Sequence, residues 1–294
     1  MESNEPTTAG RQRRVMRLVG LAFGVACLGG AVWVAVRERD EFAQALDALR
    51  DPPPAAVAAV LASVLAGAFL SGLLFHILMK RFGRVPFWEM EALIFASTLA
   101  NYLPAKPGLI GRVAYHRTHH GIRATDSVRA VIEAVVLSGS VSGMFLVGLA
   151  ACSALGVDGH WSLLAPAALG AVGLHPRLRT LAQAVFVRQA ELALWTLRYW
   201  AVFRLVGAPI ELDAAVVLAS ASVIATLVPF VSNGLGIREW VIGLLAPVVS
   251  HDSLNFSQAV VGELVNRVME IAVMLPLGLV SLAVLARFRR NAQP

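Results

Sequence analysis

Asn101-Tyr-Leu-Pro-Ala-Lys-Pro-Gly108 and Val228-Pro-Phe-Val-Ser-Asn-Gly-Leu-Gly236 interrupt two apolar runs with proline and glycine, and the reading of the whole chain turns on them. Each break has the same setting. Ahead of the first, Arg81 through Pro86 leads into Glu91-Ala-Leu-Ile-Phe-Ala-Ser97; ahead of the second, Arg204 through Pro209 leads into Asp213-Ala-Ala-Val-Val-Leu-Ala-Ser220. Behind them come Gly111-Arg112 and Ile237-Arg238-Glu239. Each is followed by a serine that opens a long apolar segment with a glutamate six residues on, Ser127 with Glu133 and Ser257 with Glu263. Broken apolar helices written twice in one chain are the pattern of a transporter.

Composition places the breaks in a bilayer. Of 294 residues, 57% are hydrophobic and 15% charged, and mean hydropathy is +0.68. A soluble domain does not hold that much apolar surface in water. At about 20 residues per crossing there is room for roughly six to eight spans, with loops too short for an appended enzyme domain. The formal net charge of +6 would suggest nucleic acid in a soluble protein. Here the arginines flank apolar runs, where they report orientation and contact with anionic lipid, so nucleic acid is not an expected partner. Cys27 and Cys152 stand at no metal-ligand spacing.

Charge asymmetry orders the segments. Residues 15–36 read as a retained first span, 38–50 as an amphipathic interfacial helix, and 55–79 as a second span ending at the basic Lys80-Arg81-Phe-Gly-Arg84. Residues 88–103 are too short for a full crossing and return to a basic stretch with Arg112, Arg117 and Arg123, as a hairpin entering from the cytoplasm would. A third span at 127–150 leads to a loop without Lys or Arg; 161–174 links back, 190–206 crosses outward, and 258–286 crosses last to Arg287-Phe-Arg-Arg290. The second hairpin, 214–229 with 237–250, has no basic residue in the segment that follows it and so enters from the other side. The expected fold is an all-α polytopic membrane protein with about six full spans plus two re-entrant helical hairpins in an inverted repeat. It forms a single integral membrane domain over 1–294, with repeat one at 55–150, repeat two at 190–287, and both termini cytoplasmic.

Proline and glycine interrupt a helix at membrane depth only where the freed backbone groups meet protein or a wet cavity. A helix that starts behind such a break aims N–H groups and a positive dipole end into that cavity, which favours an anion. Asn101, Lys106, Arg112, Asn233 and Arg238 are therefore the candidate headgroup-binding residues, the alternative for Arg112 and Arg238 being snorkelling to the interface. Glu133, Glu239, Glu263, Arg267 and Glu270 lie in or near apolar helices, where a charge costs roughly 2.5–3.5 kcal/mol at the centre. They are expected to face inward and to line or gate a polar path. Glu263, Arg267 and Glu270 share one helix face with Asn266 beside it, as a path, a proton site or a packing network would require. Glu191 and Arg198 are assigned a structural or interfacial role, and Ser97 and Ser220 one in helix packing.

His116, His119 and His120 lie in a cationic loop with no carboxylate at ligand spacing, which argues for lipid contact and against metal. The chain carries no nucleophile motif, phosphate loop or acidic metal cluster, so neither a catalytic residue nor a cofactor is expected.

The motif Asn101 to Gly108 with Gly111-Arg112, the Gly121-Ile122 and Ser127 that open the next helix, and Pro229 through Asn233-Gly-Leu-Gly-Ile-Arg-Glu239 with Glu263 and Arg267 together resemble the transmembrane, flippase-like domain of lysylphosphatidylglycerol synthases and their stand-alone relatives. The likeness runs from about residue 15 to residue 287 and lacks the aminoacyl-transferring domain. It implies a protein of the bacterial inner membrane that moves a lipid between leaflets, as flippase or scramblase. The lipid partner would be a phospholipid, a hopanoid or a polyprenyl-linked glycan, with a lipid-pathway enzyme as a possible further partner. The rival readings are an intramembrane lipid-modifying enzyme, with His116, His119 or Glu239 as acid or base, and a non-catalytic scaffold for a lipid pathway.

Overall fold

A computed structural model describes residues 47, 50, 52–103, 106–165, 179–227, 234, 236–251 and 253–291. The expected first span, nearly all of the interfacial helix at 38–50, the linking helix beyond residue 165, and Asn233 fall outside them. Among the described residues every regular element is helical. They are α1 (Pro54–Met79), α2 (Phe87–Ala100), α3 (Pro107–His120), α4 (Ala124–Leu155), a 3-10 turn (Gly159–Leu164), α5 (Arg179–Leu205), α6 (Leu212–Thr226), α7 (Ile237–Val249) and α8 (Phe256–Asn291).

Among the described residues three helices are long and apolar enough to cross a bilayer: α1, α4, and α8 over Phe256–Phe288. At 1.5 Å per residue the shortest of them, with 26 residues, is about 39 Å long, against an apolar bilayer core of about 30 Å. Their starts follow from local chemistry. Pro54 opens α1 and Pro107 opens α3 at the first helical position, where the missing N–H costs nothing and the ring presets φ. α5 has the length to span, at 27 residues, but carries Arg188, Glu191, Arg198 and Arg204 along it. It begins at or before Arg179, well ahead of the expected 190, because no proline or glycine interrupts the chain between 179 and 206. The first part of the expected link at 161–174 is the 3-10 turn, packed against α4 and α6.

α2 packs on α3 and α6 on α7, so each break joins two helices that lie against one another. Around these pairs α1 packs along α5, and α8 runs beside both α2 and α7. The main buried core draws on all of these helices but α3: Val60 and Leu74 of α1, Met90 of α2, Phe145 of α4, Tyr199 and Phe203 of α5, Leu218 of α6, Ile242 of α7 and Val261 of α8.

The first pair closes through one glycine. A Cβ on Gly108 would stand 1.8 Å from the Ser97 carbonyl oxygen and 2.7 Å from Asn101 Oδ1, contacts that only the absence of a side chain permits. Asn101 itself ends α2 and turns its Oδ1 back to accept the Leu109 N–H at 3.2 Å, which satisfies one of the free donors at the start of α3. Gly108→Ala should lower the thermal midpoint of the purified protein, since about 1–3 kcal/mol of overpacking outweighs the gain in helix propensity. An unchanged midpoint would mean that α2 and α3 do not close in this way.

Candidate functional site

Arg238 follows the second break, in the first turn of α7, and is 1% exposed. A guanidinium at that depth needs anionic partners, and it has two from α8. Its Nη2 lies 2.8 Å from Glu263 Oε1, and its Nη1 lies 3.0 Å from Glu270 Oε2. Glu263 also accepts from the Tyr199 hydroxyl at 2.5 Å and from Asn266 Nδ2 at 3.4 Å. Glu270 is shared, since Arg198 of α5 reaches its Oε1 at 2.9 Å. Arg267 pairs with Glu239 at 2.9 Å. Trp195 stacks beside the group, with Arg198 4.2 Å and Arg238 5.1 Å from its ring centroid.

The cluster thus holds three arginines, Arg198, Arg238 and Arg267, against three glutamates, Glu239, Glu263 and Glu270, and it is balanced. Glu263, Arg267 and Glu270 do share a face of α8, as their spacing requires, but their ion pairs run outward to α7 and α5. Three helices are therefore fastened at one level.

A cavity of about 220 Å3 opens on this cluster. Arg198, Arg238, Glu270 and Trp195 form one wall; Val64, Ala68 and Ser71 of α1 form another. Thr98 and Tyr102 come from the first break region and Thr226 from the end of α6. Both breaks therefore border one polar space. Helix ends beside the breaks also touch: Lys106, at the start of α3, donates from Nζ to the carbonyl of Thr226, the last residue of α6, at 3.1 Å. Lys106 adopts the left-handed conformation, φ +47°, a backbone state that costs a non-glycine residue about 1 kcal/mol or more. The last charged pair on the wall is Arg188 with Glu191 at 2.5 Å, and Glu191 also accepts from Ser71 at 2.6 Å. With Arg188 and Glu191 included the network is still neutral, and Lys106 adds a positive charge at its edge.

The other residues singled out in the sequence have different surroundings. Arg112, 6% exposed, donates to Ser97 Oγ at 2.9 Å and lies 4.2 Å from the centre of the Phe75 ring; among the described residues no carboxylate pairs with it. It borders a second, largely apolar cavity of about 350 Å3 between α2, α3 and α8. The Glu133 side chain is 26% exposed and pairs with Arg81 and Arg129 on the outer side of α4, away from the buried cluster. His120 lies 2.9 Å from Glu89 Oε1, which also accepts from Tyr115, and His116 Nδ1 lies 3.0 Å from Ser127 Oγ. Glu89 thus supplies from α2 a carboxylate that local spacing around the histidines did not show. Among the described residues no group of three metal-ligating side chains converges.

The sequence singles out Arg238, Glu239, Glu263, Arg267 and Glu270, which the structure brings together, but it gives Arg198 a structural or interfacial role and does not mark Tyr199, Arg188 or Trp195 as site residues. The available signal was an arginine between aromatic residues in an apolar run, Trp195-Thr-Leu-Arg-Tyr-Trp200.

Over residues 17–175 the chain matches the family described as the lysylphosphatidylglycerol synthase TM region. No curated protein matches it. The matched stretch includes the first break and α1 to α4; α5, α7 and α8, which carry the buried cluster, lie beyond it.

Glu239→Gln should lower stability by about 3–5 kcal/mol, because it removes the buried carboxylate charge that faces Arg267 at 2.9 Å. Glu239→Leu combined with Arg267→Met should lose less than the sum of the single changes in a double-mutant cycle read by thermal unfolding in detergent. Strict additivity would show that the pair is not coupled.

Proposed function

We propose that this chain, which belongs to the lysylphosphatidylglycerol synthase TM-region family, moves an anionic or envelope lipid between membrane leaflets. The observation that carries the reading is the charged cavity at which both helix breaks meet. Transporter sites of this kind lie where interrupted helices converge, because only there do backbone donors, dipole ends and charged side chains share a space that lipid does not fill.

In this reading 55–150 and 190–287 act as inverted repeats whose hairpins enter from opposite sides, in a bacterial inner membrane with both termini in the cytoplasm. The headgroup phosphate enters the cavity and exchanges with Glu270 for Arg238 and Arg198, while Lys106 adds attraction at the rim. Because the cluster is neutral when empty, an incoming anion competes with a carboxylate and does not meet a free cation. That gives weak, reversible binding, as a carrier requires. Glu239, Glu263 and Arg267 hold the helices that frame the site, and the acyl chains remain in lipid. The chain works without a catalytic residue or a cofactor.

Reconstitution in liposomes with a leaflet-quenchable fluorescent anionic phospholipid tests this. Wild type should expose the protected leaflet, and Arg238→Lys and Glu263→Gln should slow the loss of protection roughly tenfold or more at matched incorporation, the ratio for a lost interaction of about 1.4 kcal/mol. Equal rates in all three would remove the cavity from the lipid path. A chemically altered lipid recovered from detergent solution would favour an enzyme instead.

A further inference from the structure

Glu91 is a buried charge-bearing group apart from the ion cluster. It is 2% exposed, and neither carboxyl oxygen has a hydrogen-bond partner among the described residues. It is not accidentally trapped, because α1 makes room for it. A Cβ on Gly72 would stand 2.0 Å from Glu91 Oε2, so the carboxyl occupies the space that any side chain at 72 would take.

The position of this space matters. Val64, Ala68 and Ser71 line the charged cavity, and Gly72 continues the same face of α1 at the helical spacing of four and eight residues. On α2, Thr98 lines the cavity, and Glu91 precedes it by seven residues, on the same face and about 10 Å further along. The seam between α1 and α2 is thus walled by cavity residues at one end and holds Glu91 against Gly72 at the other.

Among the described residues no charged group of a packed neighbour compensates Glu91. On α1, His76 sits one turn beyond Gly72 with its ring 5.4 Å from that of Phe87. On α2 itself, Glu89 is taken by Tyr115 and His120. On α3, Arg112 is turned to Ser97 and Phe75, and His116 to Ser127; Arg117 and His119 are on the exposed side of that helix. On α8, Glu263, Arg267 and Glu270 are held in the ion cluster, and Arg287 is exposed. An isolated ionised carboxylate in such surroundings costs far more than a neutral acid.

We propose that Glu91 is a proton-binding site, loaded from water as –COO⁻ + H⁺ → –COOH, and that its loading and release couple lipid movement through the cavity to a proton gradient. The inference deepens the lipid-translocation reading and rests on it for the coupling. The α1–α2 seam packs closely only around the neutral acid; loss of the proton leaves a charge that draws in water and opens the seam toward the cavity.

The test uses the full chain in liposomes, wild type and the isosteric Glu91→Gln. Infrared difference spectra should show an exchangeable protonated-carboxyl C=O band in wild type that Glu91→Gln lacks; no such difference overturns the site. With the fluorescent anionic phospholipid, a pH gradient should accelerate wild type, while Glu91→Gln keeps the rate seen without a gradient and loses the response. A wild type that translocates equally with and without the gradient, or that responds to a sodium gradient instead, overturns the coupling and leaves translocation standing. If neither form moves lipid under any condition, the translocation reading and the coupling with it fall, and the infrared band alone decides whether Glu91 binds a proton.

Discussion

Arg238 cannot sit in an apolar bundle without Glu263 and Glu270, and much of the architecture follows from that requirement. Removing a guanidinium from water costs several kcal/mol, which a buried position repays only through closely set carboxylates with their remaining lone pairs occupied. Glu263 and Glu270 lie seven residues apart on α8, so the register of α7 against α8 has to bring one arginine between them. Arg198 then uses the outer oxygen of Glu270 and ties α5 to the same level. Tyr199, next in sequence, reaches Glu263 from that helix. A slip of one residue in any of the three helices would strand at least one full charge.

The helix terminus adds to this constraint. Arg238 stands in the first turn of α7, where the positive dipole end disfavours a cation and favours Glu239 beside it. The break therefore presents an arginine that depends wholly on distant partners and a glutamate that is welcome locally. That combination ties the start of the interrupted helix to the cavity wall, which Arg238 and Glu270 form together.

The first break solves the same problem differently. One of its free donors, the Leu109 N–H, is capped by Asn101, its helices are brought together at Gly108, and among the described residues Arg112 meets a hydroxyl and an aromatic face, without a carboxylate. Its α2 carries Glu91, which has no hydrogen-bond partner among the described residues. One half of the molecule thus holds a balanced ion network, while the other holds a cation and an acid that are not paired with one another. The two halves pack through α1 with α5 and α2 with α8, and Lys106 bonds the Thr226 carbonyl between them.

From sequence alone it was legible that the chain is helical and membrane-embedded, that prolines and glycines cut two of its helices, and that Glu263, Asn266, Arg267 and Glu270 share a face. These properties depend on hydropathy, backbone dihedrals and the 3.6-residue period, all of which act over a few neighbouring residues. The partners of those side chains were decided only by tertiary structure. Arg198 with Glu270, Ser71 with Glu191 across 120 positions, and Glu91 against Gly72 depend on how far one helix slides and rotates against another. Glu133 makes the same point in reverse: it stands six residues after a serine, as Glu263 does, yet it lies toward the surface with Arg81 and Arg129. A local pattern places a charge on a helix, whereas the packing of that helix decides whether the charge meets a counter-ion, a glycine or water.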